Sequence, residues 1–272
     1  MKKALKILAV ALLLTATVIP AQAQRRVVHY LPKYEQEPYH FGFLLAFNEM
    51  MYTVKTIEDY QNKPLPPSSW PRALIPSTTE ALYVYNIETK QKPGFTVGII
   101  GSKRLGRYFD LRFIPTLSFC DRELIYDVKV VGSESQMKHE EKTLITTFVE
   151  FPLNIKYRSK RYNNIGAYLM GGINPKIDLA SQKNLFQETY DANGNVIGKD
   201  PVNFVPKRFD CAAEIGVGYD FYNQWFKMGI EIKMSYGLLD IVKETTDDTP
   251  LIYTAPIDKL RNKMFQISML IE

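Results

Sequence analysis

Phe226-Lys-Met-Gly-Ile-Glu-Ile-Lys-Met-Ser-Tyr236 places an apolar residue at every even position and a charged or small residue at every odd one. Side chains alternate faces along a strand, so this stretch makes a strand with two unlike faces. One face is continuous grease. The other carries Lys227, Gly229, Glu231 and Lys233.

The alternation recurs. Eight candidate strands show it, at 40–53, 94–102, 108–120, 147–158, 164–174, 208–222, 225–238 and 262–272. In the first, Phe41, Phe43, Leu45 and Phe47 oppose Gly42, Ala46 and Asn48. In the third, Phe109, Leu111, Phe113, Leu117 and Phe119 oppose Asp110, Arg112, Thr116 and Ser118. In the sixth, Ala213, Ile215, Val217, Tyr219 and Phe221 oppose Asp210, Glu214, Gly216, Gly218 and Asp220. Pro115 and Pro152 fall inside candidate strands. A closed barrel has no edge to accommodate a proline, so both positions predict local bulges. Gly171-Gly172 interrupts the fifth strand.

Connections alternate in length. Residues 103–107, 159–163 and 223–224 are tight turns, whereas 54–93, 121–146, 175–207 and 239–261 are long. Strict alternation of short and long predicts an eight-stranded antiparallel up-and-down transmembrane β-barrel, with turns and both termini on the periplasmic side. Within the first long loop, Leu82-Tyr-Val-Tyr-Asn-Ile87 reads as an extension of the second strand or as a small hairpin. Asp191-Ala-Asn-Gly-Asn195 signals a turn, so the third long loop projects as its own hairpin.

The N-terminus has Lys2, Lys3 and Lys6, an apolar run from Ile7 to Ile19, and Ala21-Gln22-Ala23. That pattern is a cleaved secretory signal over residues 1–23. Residues 24–38 then form a polar periplasmic leader in which Glu35 and Glu37 suggest no chemistry, and 39–272 form the barrel. Three of the 34 basic residues lie in the signal, which leaves 31 against 29 acidic ones. Such a balance gives no reason to expect nucleic acid.

A soluble barrel of lipocalin type alternates with the opposite sense, apolar inside. Three features favour apolar outside. Gly98, Gly166, Gly216, Gly218 and Gly229 lie on the polar face, where a narrow interior needs room. Phe109, Phe119, Tyr157, Tyr219, Phe221, Phe226 and Tyr236 lie near strand ends on the apolar face, as an interfacial girdle would. The last strand runs to the final residue. The expected partner of that face is outer-membrane lipid.

The polar face then lines an interior just wide enough to be filled by side chains. Asp110, Arg112, Glu150, Lys156, Asp210, Glu214, Lys227, Glu231 and Lys233 form its ionic cluster. Inward acids can pair with inward bases, as burial requires. The cluster reads as an ionic plug in preference to an ion path, and no general solute pore is expected.

Catalytic patterns are lacking. There is no G-x-S-x-G and no H-E-x-x-H. His29 lies in the leader, His40 at the first strand and His139 in a charged loop. Cys120 and Cys211 point to opposite faces and read as free thiols. The run Lys156-Tyr-Arg-Ser-Lys-Arg161 reads as an interfacial anchor or a docking patch. No enzyme activity, metal, cofactor or small-molecule substrate is expected.

The pieces His40-Phe-Gly-Phe-Leu-Leu-Ala-Phe-Asn48, Pro93-Gly-Phe-Thr-Val-Gly98, Phe109-Asp-Leu-Arg-Phe-Ile-Pro-Thr-Leu-Ser-Phe119 and Glu150-Phe-Pro-Leu153 resemble the PorT family of Bacteroidetes outer-membrane proteins. The resemblance runs from about residue 38 to the end. It implies an accessory role in the type IX secretion system, which exports cargo bearing a C-terminal domain and, in gliding relatives, motility adhesins. It implies other secretion proteins as partners, and it brings no catalytic residues. The alternative is a small outer-membrane adhesin or surface-binding barrel unconnected with secretion.

Overall fold

The computed structural model describes residues 28–65, 79–132, 136–180, 186–190, 196–201, 206–242 and 251–272. The predicted signal, the first leader residues and the turn at 191–195 lie outside them. No helix among the described residues is long and apolar enough to cross a membrane.

The described residues form thirteen strands: β1 (Tyr39–Thr56), β2 (Thr79–Lys90), β3 (Lys92–Arg104), β4 (Phe109–Phe113), β5 (Thr116–Gly132), β6 (Gln136–Glu150), β7 (Leu153–Arg158), β8 (Ile165–Asp178), β9 (Phe186–Tyr190), β10 (Val196–Pro201), β11 (Phe209–Tyr222), β12 (Lys227–Gly237) and β13 (Ile257–Ile271). Eleven of them make one antiparallel sheet, and β9 and β10 make a separate hairpin. The sheet closes. Going round, β11, β12, β13, β1, β3, β4, β7 and β8 each pair with the next, and β8 pairs back to β11. β2 leads into β3 across Gln91, and two candidate strands are broken, one into β4 and β5 and one into β6 and β7.

Both breaks fall at the prolines. Ile114-Pro115 separates β4 from β5, and Phe151-Pro152 separates β6 from β7. A proline has no N–H for the ladder. The ladder is carried past each break by neighbours: Ile99 N–H donates to Pro115 O, Ile114 N–H to Pro152 O and Phe151 N–H to Pro175 O. Gly171-Gly172 breaks nothing, because β8 runs through both.

One expectation is overturned. Residues 121–146 are not a long loop. They are most of the β5–β6 hairpin, paired in register from Thr116↔Glu150 to Val130↔Gln136. β5 also pairs on its other side with β2 over Glu123–Gly132, so the hairpin continues the wall above the ring. The segment around Leu82–Ile87 belongs to β2, which pairs with β5 and extends the second strand. Strands β1, β8 and β13 also run further than the sequence reading placed them.

The outward face of β1 shows how the molecule is layered. Tyr39, Phe41, Phe43, Leu45 and Phe47 are exposed, and then the outward positions become Glu49, Met51, Thr53 and Lys55. Other strands switch within one outward position of that height, from Phe119 to Asp121 on β5 and from Phe265, opposite Glu49, to Lys263 on β13. Nine residues of β1 therefore line the apolar band, near the length a tilted strand needs to cross a bilayer. Tyr39, Phe109, Tyr157 and Tyr219 ring its turn end, and Phe47, Phe95, Tyr236 and Phe265 its loop end.

Beyond the band the inward face also inverts. Tyr52, Leu82, Val84, Leu124, Tyr126, Val128, Val130, Leu144, Ile241, Tyr253, Ile257 and Leu260 make one buried apolar core. Tyr126 closes it, donating through its hydroxyl to the Tyr253 carbonyl at 3.0 Å. The lower storey has grease outside and ions inside, and the upper storey has the reverse.

Candidate functional site

The lower lumen is filled by charged side chains. All nine residues of the predicted cluster are inside and buried. Arg112 Nη1 donates to Glu231 Oε2 at 2.8 Å. Lys156 Nζ lies 2.6 Å from Asp220 Oδ2, and Lys233 Nζ lies 3.1 Å from Glu214 Oε1. Lys227 Nζ lies 2.6 Å from Glu272 Oε2. Asp110 Oδ2 takes Arg158 Nε at 2.7 Å, and Asp210 Oδ2 takes Lys176 Nζ at 3.5 Å. Glu150 Oε2 accepts from Asn174 Nδ2 at 2.7 Å. Burying a charge is costly unless it is paired, so strand alternation alone forces the interior into such pairs.

The sequence reading omitted several members. Arg122 is the most connected, donating to Thr146, Asn262 and Asp178, with its guanidinium stacked over Tyr52 and Phe148. It shares the inward phase of Thr116 and Ser118, so extending the third strand would have found it. Lys176 and Asp178 continue the phase of Asn174 in the same way. Arg158, part of the basic run 156–161, turns inward beside Lys156 and is ion-paired to Asp110, whereas Lys160 is exposed.

Tyrosine and glycine share the remaining space. The Tyr168 ring lies under Lys156 Nζ at 3.6 Å, and its hydroxyl donates to Glu231 Oε2 at 2.9 Å. It fits because Gly218 stands opposite. A Cβ at 218 would come within 2.4 Å of the ring carbon Cζ.

Residues 28–38 of the leader fold across the turn-end mouth. The Tyr34 ring stacks on His40 at 4.1 Å, and its hydroxyl donates to Glu272 Oε2 at 3.0 Å. His40 Nε2 lies 2.7 Å from the Tyr34 carbonyl, which assigns the proton to that nitrogen. Glu35 accepts from the Tyr222 hydroxyl at 3.1 Å. Arg161 donates to the Tyr30 carbonyl and lies over the Tyr222 ring. Asn164 is bonded to both Tyr30 and Val28. No apolar periodicity marks this segment, which is why the sequence did not reveal it.

At the loop end, His139 is in β6 and not in a loop. Its Nδ1 lies 2.7 Å from Asp127 Oδ1 on β5. The hydrogen bond holds the imidazole pKa up and the Asp127 carboxyl down. Both groups face solvent. Cys120 is buried, Cys211 is half-buried, and both are free thiols. Among the described residues, no group of three or more His, Cys, Asp and Glu side chains is arranged to hold a metal.

This arrangement is a lumen filled with paired charged side chains, between a capped turn end and an apolar-cored loop end. Three comparisons bear on its origin. The family described as outer membrane protein beta-barrel domain matches residues 21–243. No curated protein matches the chain. Among solved structures, the crystal structure of the outer membrane protein OprG from Pseudomonas aeruginosa is similar, at 10% identity and a TM-score of 0.33, covering 87% of this chain and 95% of that chain.

Proposed function

Since the chain belongs to the outer-membrane β-barrel family, we propose that it is an accessory of type IX protein secretion, acting by contact with other secretion proteins and neither as conduit nor as enzyme. Its turn end and termini face the periplasm on this reading. The observation that carries the contact mechanism is the Arg112–Glu231 pair across a filled lumen. A barrel of this width, packed with buried ion pairs, has no room for a folded cargo protein. The link to secretion rests on the resemblance to the PorT family. The folded leader supports a periplasmic docking role, because it presents an ordered surface where a periplasmic partner would arrive.

The test is a clean deletion. Cargo bearing the C-terminal domain should accumulate in the periplasm while uptake of small dyes and antibiotics stays unchanged. Normal export would reject the secretion role.

A second reading, a surface-binding barrel or adhesin, is supported by the upper storey, whose own apolar core gives the loop end a rigid platform. Exchanging the loop-end segments while keeping the lower strands separates the two. Secretion survives the exchange if the periplasmic face matters, and binding to surfaces is lost if the platform does.

A further inference from the structure

We infer that the lower lumen holds one small hard cation of sodium type at Glu150, with side-chain oxygens of Thr116, Asn154 and Asn174 as its neutral donors. A charge count points there. Among the described residues, seven cations (Arg112, Arg122, Lys156, Arg158, Lys176, Lys227 and Lys233) face eight carboxylates inside the barrel. Each cation takes a carboxylate of its own, and Glu150 is the one left over. It is 1% exposed. Its cross-strand neighbour Lys176 is committed to Asp210. Swinging Lys176 across would only move the deficit to Asp210. A lone buried carboxylate is far too costly to leave uncompensated.

The surrounding oxygens give a second, independent indication. Glu150 Oε1, Asn154 Oδ1, Asn174 Oδ1 and Thr116 Oγ1 are all buried, and no protein donor reaches any of them. Their residues are neighbours, linked by hydrogen bonds and by strand pairing. Asn174 Nδ2 donates to Glu150 Oε2 at 2.7 Å and to Glu214 Oε1 at 2.8 Å, and Asn154 Nδ2 donates to Glu214 Oε2 at 3.0 Å. Thr116 is the cross-strand partner of Glu150. The amide orientations are forced. Carboxylates only accept, so each amide must turn its nitrogen toward them and leave its oxygen free. Free carbonyl oxygens beside an unpaired carboxylate suit a hard cation. A single unpaired carboxylate selects a monovalent ion.

Two strand breaks lie at this place: Thr116 follows Ile114-Pro115 at the start of β5, and Glu150 and Asn154 lie either side of Phe151-Pro152 between β6 and β7.

The test uses the mature protein refolded from urea into detergent in sodium chloride or in choline chloride at equal ionic strength. Folding is checked by heat-modifiable gel mobility, and the thermal midpoint is read by circular dichroism. The midpoint should rise by about 4 °C for each tenfold increase in sodium above the dissociation constant. Glu150→Gln should remove that dependence. Thr116→Val should preserve folding and require about tenfold more sodium for the same rise, one donor being worth about a factor of ten. Asp258→Asn, at an exposed pair on the upper storey, should leave the dependence intact. Equal midpoints in the two salts overturn the proposal. If an infrared carboxylic-acid band is then seen and is lost in Glu150→Gln, a proton balances the charge. If no such band is seen, ordered water satisfies the oxygens.

Discussion

Arg112 and Glu231 stand on β4 and β12, four strands apart whichever way one counts round the ring, and their side chains meet at 2.8 Å. One ion pair therefore spans the full diameter of the lumen. It ties together walls that share no backbone hydrogen bond. Arg112→Ala should destabilise the barrel by about 3–5 kcal/mol, because it strands the Glu231 carboxylate. The double variant Arg112→Met with Glu231→Met should recover much of that loss, since an apolar pair of similar volume leaves no charge uncompensated. Urea unfolding in lipid vesicles measures both. A double variant no better than the single one would mean that the pair contributes more than its own neutralisation.

The outward band makes a depth-dependent prediction. Ile232 lies near mid-band on β12, and Thr53 lies above it on β1. Ile232→Lys should cost about 2–4 kcal/mol, and Thr53→Lys about 0–1 kcal/mol. Equal costs at the two sites would show that the band does not face hydrocarbon.

Gly218→Ala should cost about 1–3 kcal/mol through overpacking against Tyr168. The Ile230 carbonyl, 2.8 Å from the added Cβ, adds to the crowding. Shrinking Tyr168 to Leu in the same chain should recover only the ring's share. Folded fractions after refolding from urea provide the comparison.

His139 and Asp127 predict a modest pH response outside the membrane band. The imidazole pKa is raised from its ordinary 6.5, so its contribution is complete below that value and is lost as pH rises through the folded pKa. The carboxyl pKa is lowered from 3.8, so its contribution is complete above that value and is lost as pH falls through the folded pKa. The pair is fully formed between the two ordinary values. With 3 histidines in the chain, an NMR titration resolves the ring. Asp127→Asn should return its midpoint toward 6.5.

Much of the lower storey was legible because one physical rule governs it. On β11 and β12 every outward residue is apolar and every inward one is polar or small, so phase alone identifies the wall and the ions. The prolines also announced their breaks. The β5–β6 hairpin was hidden because its rule inverts halfway along. Asp121 and Asp127 point out while Leu124, Tyr126 and Val128 point in. A reader following grease to the outside loses the phase at Cys120. The Tyr34 cap was illegible for another reason. It depends on contacts 238 residues apart in sequence, between Tyr34 and Glu272, and no local pattern encodes them.

The inversion at Glu49 and Asp121 bears on how the molecule keeps its place. The upper core draws Tyr52, Leu82, Tyr126 and Leu260 from four different strands, so no single hairpin completes it. Its packing acts as a latch. Drawing any hairpin back through the band would tear open that core and drag charged outer residues through oil.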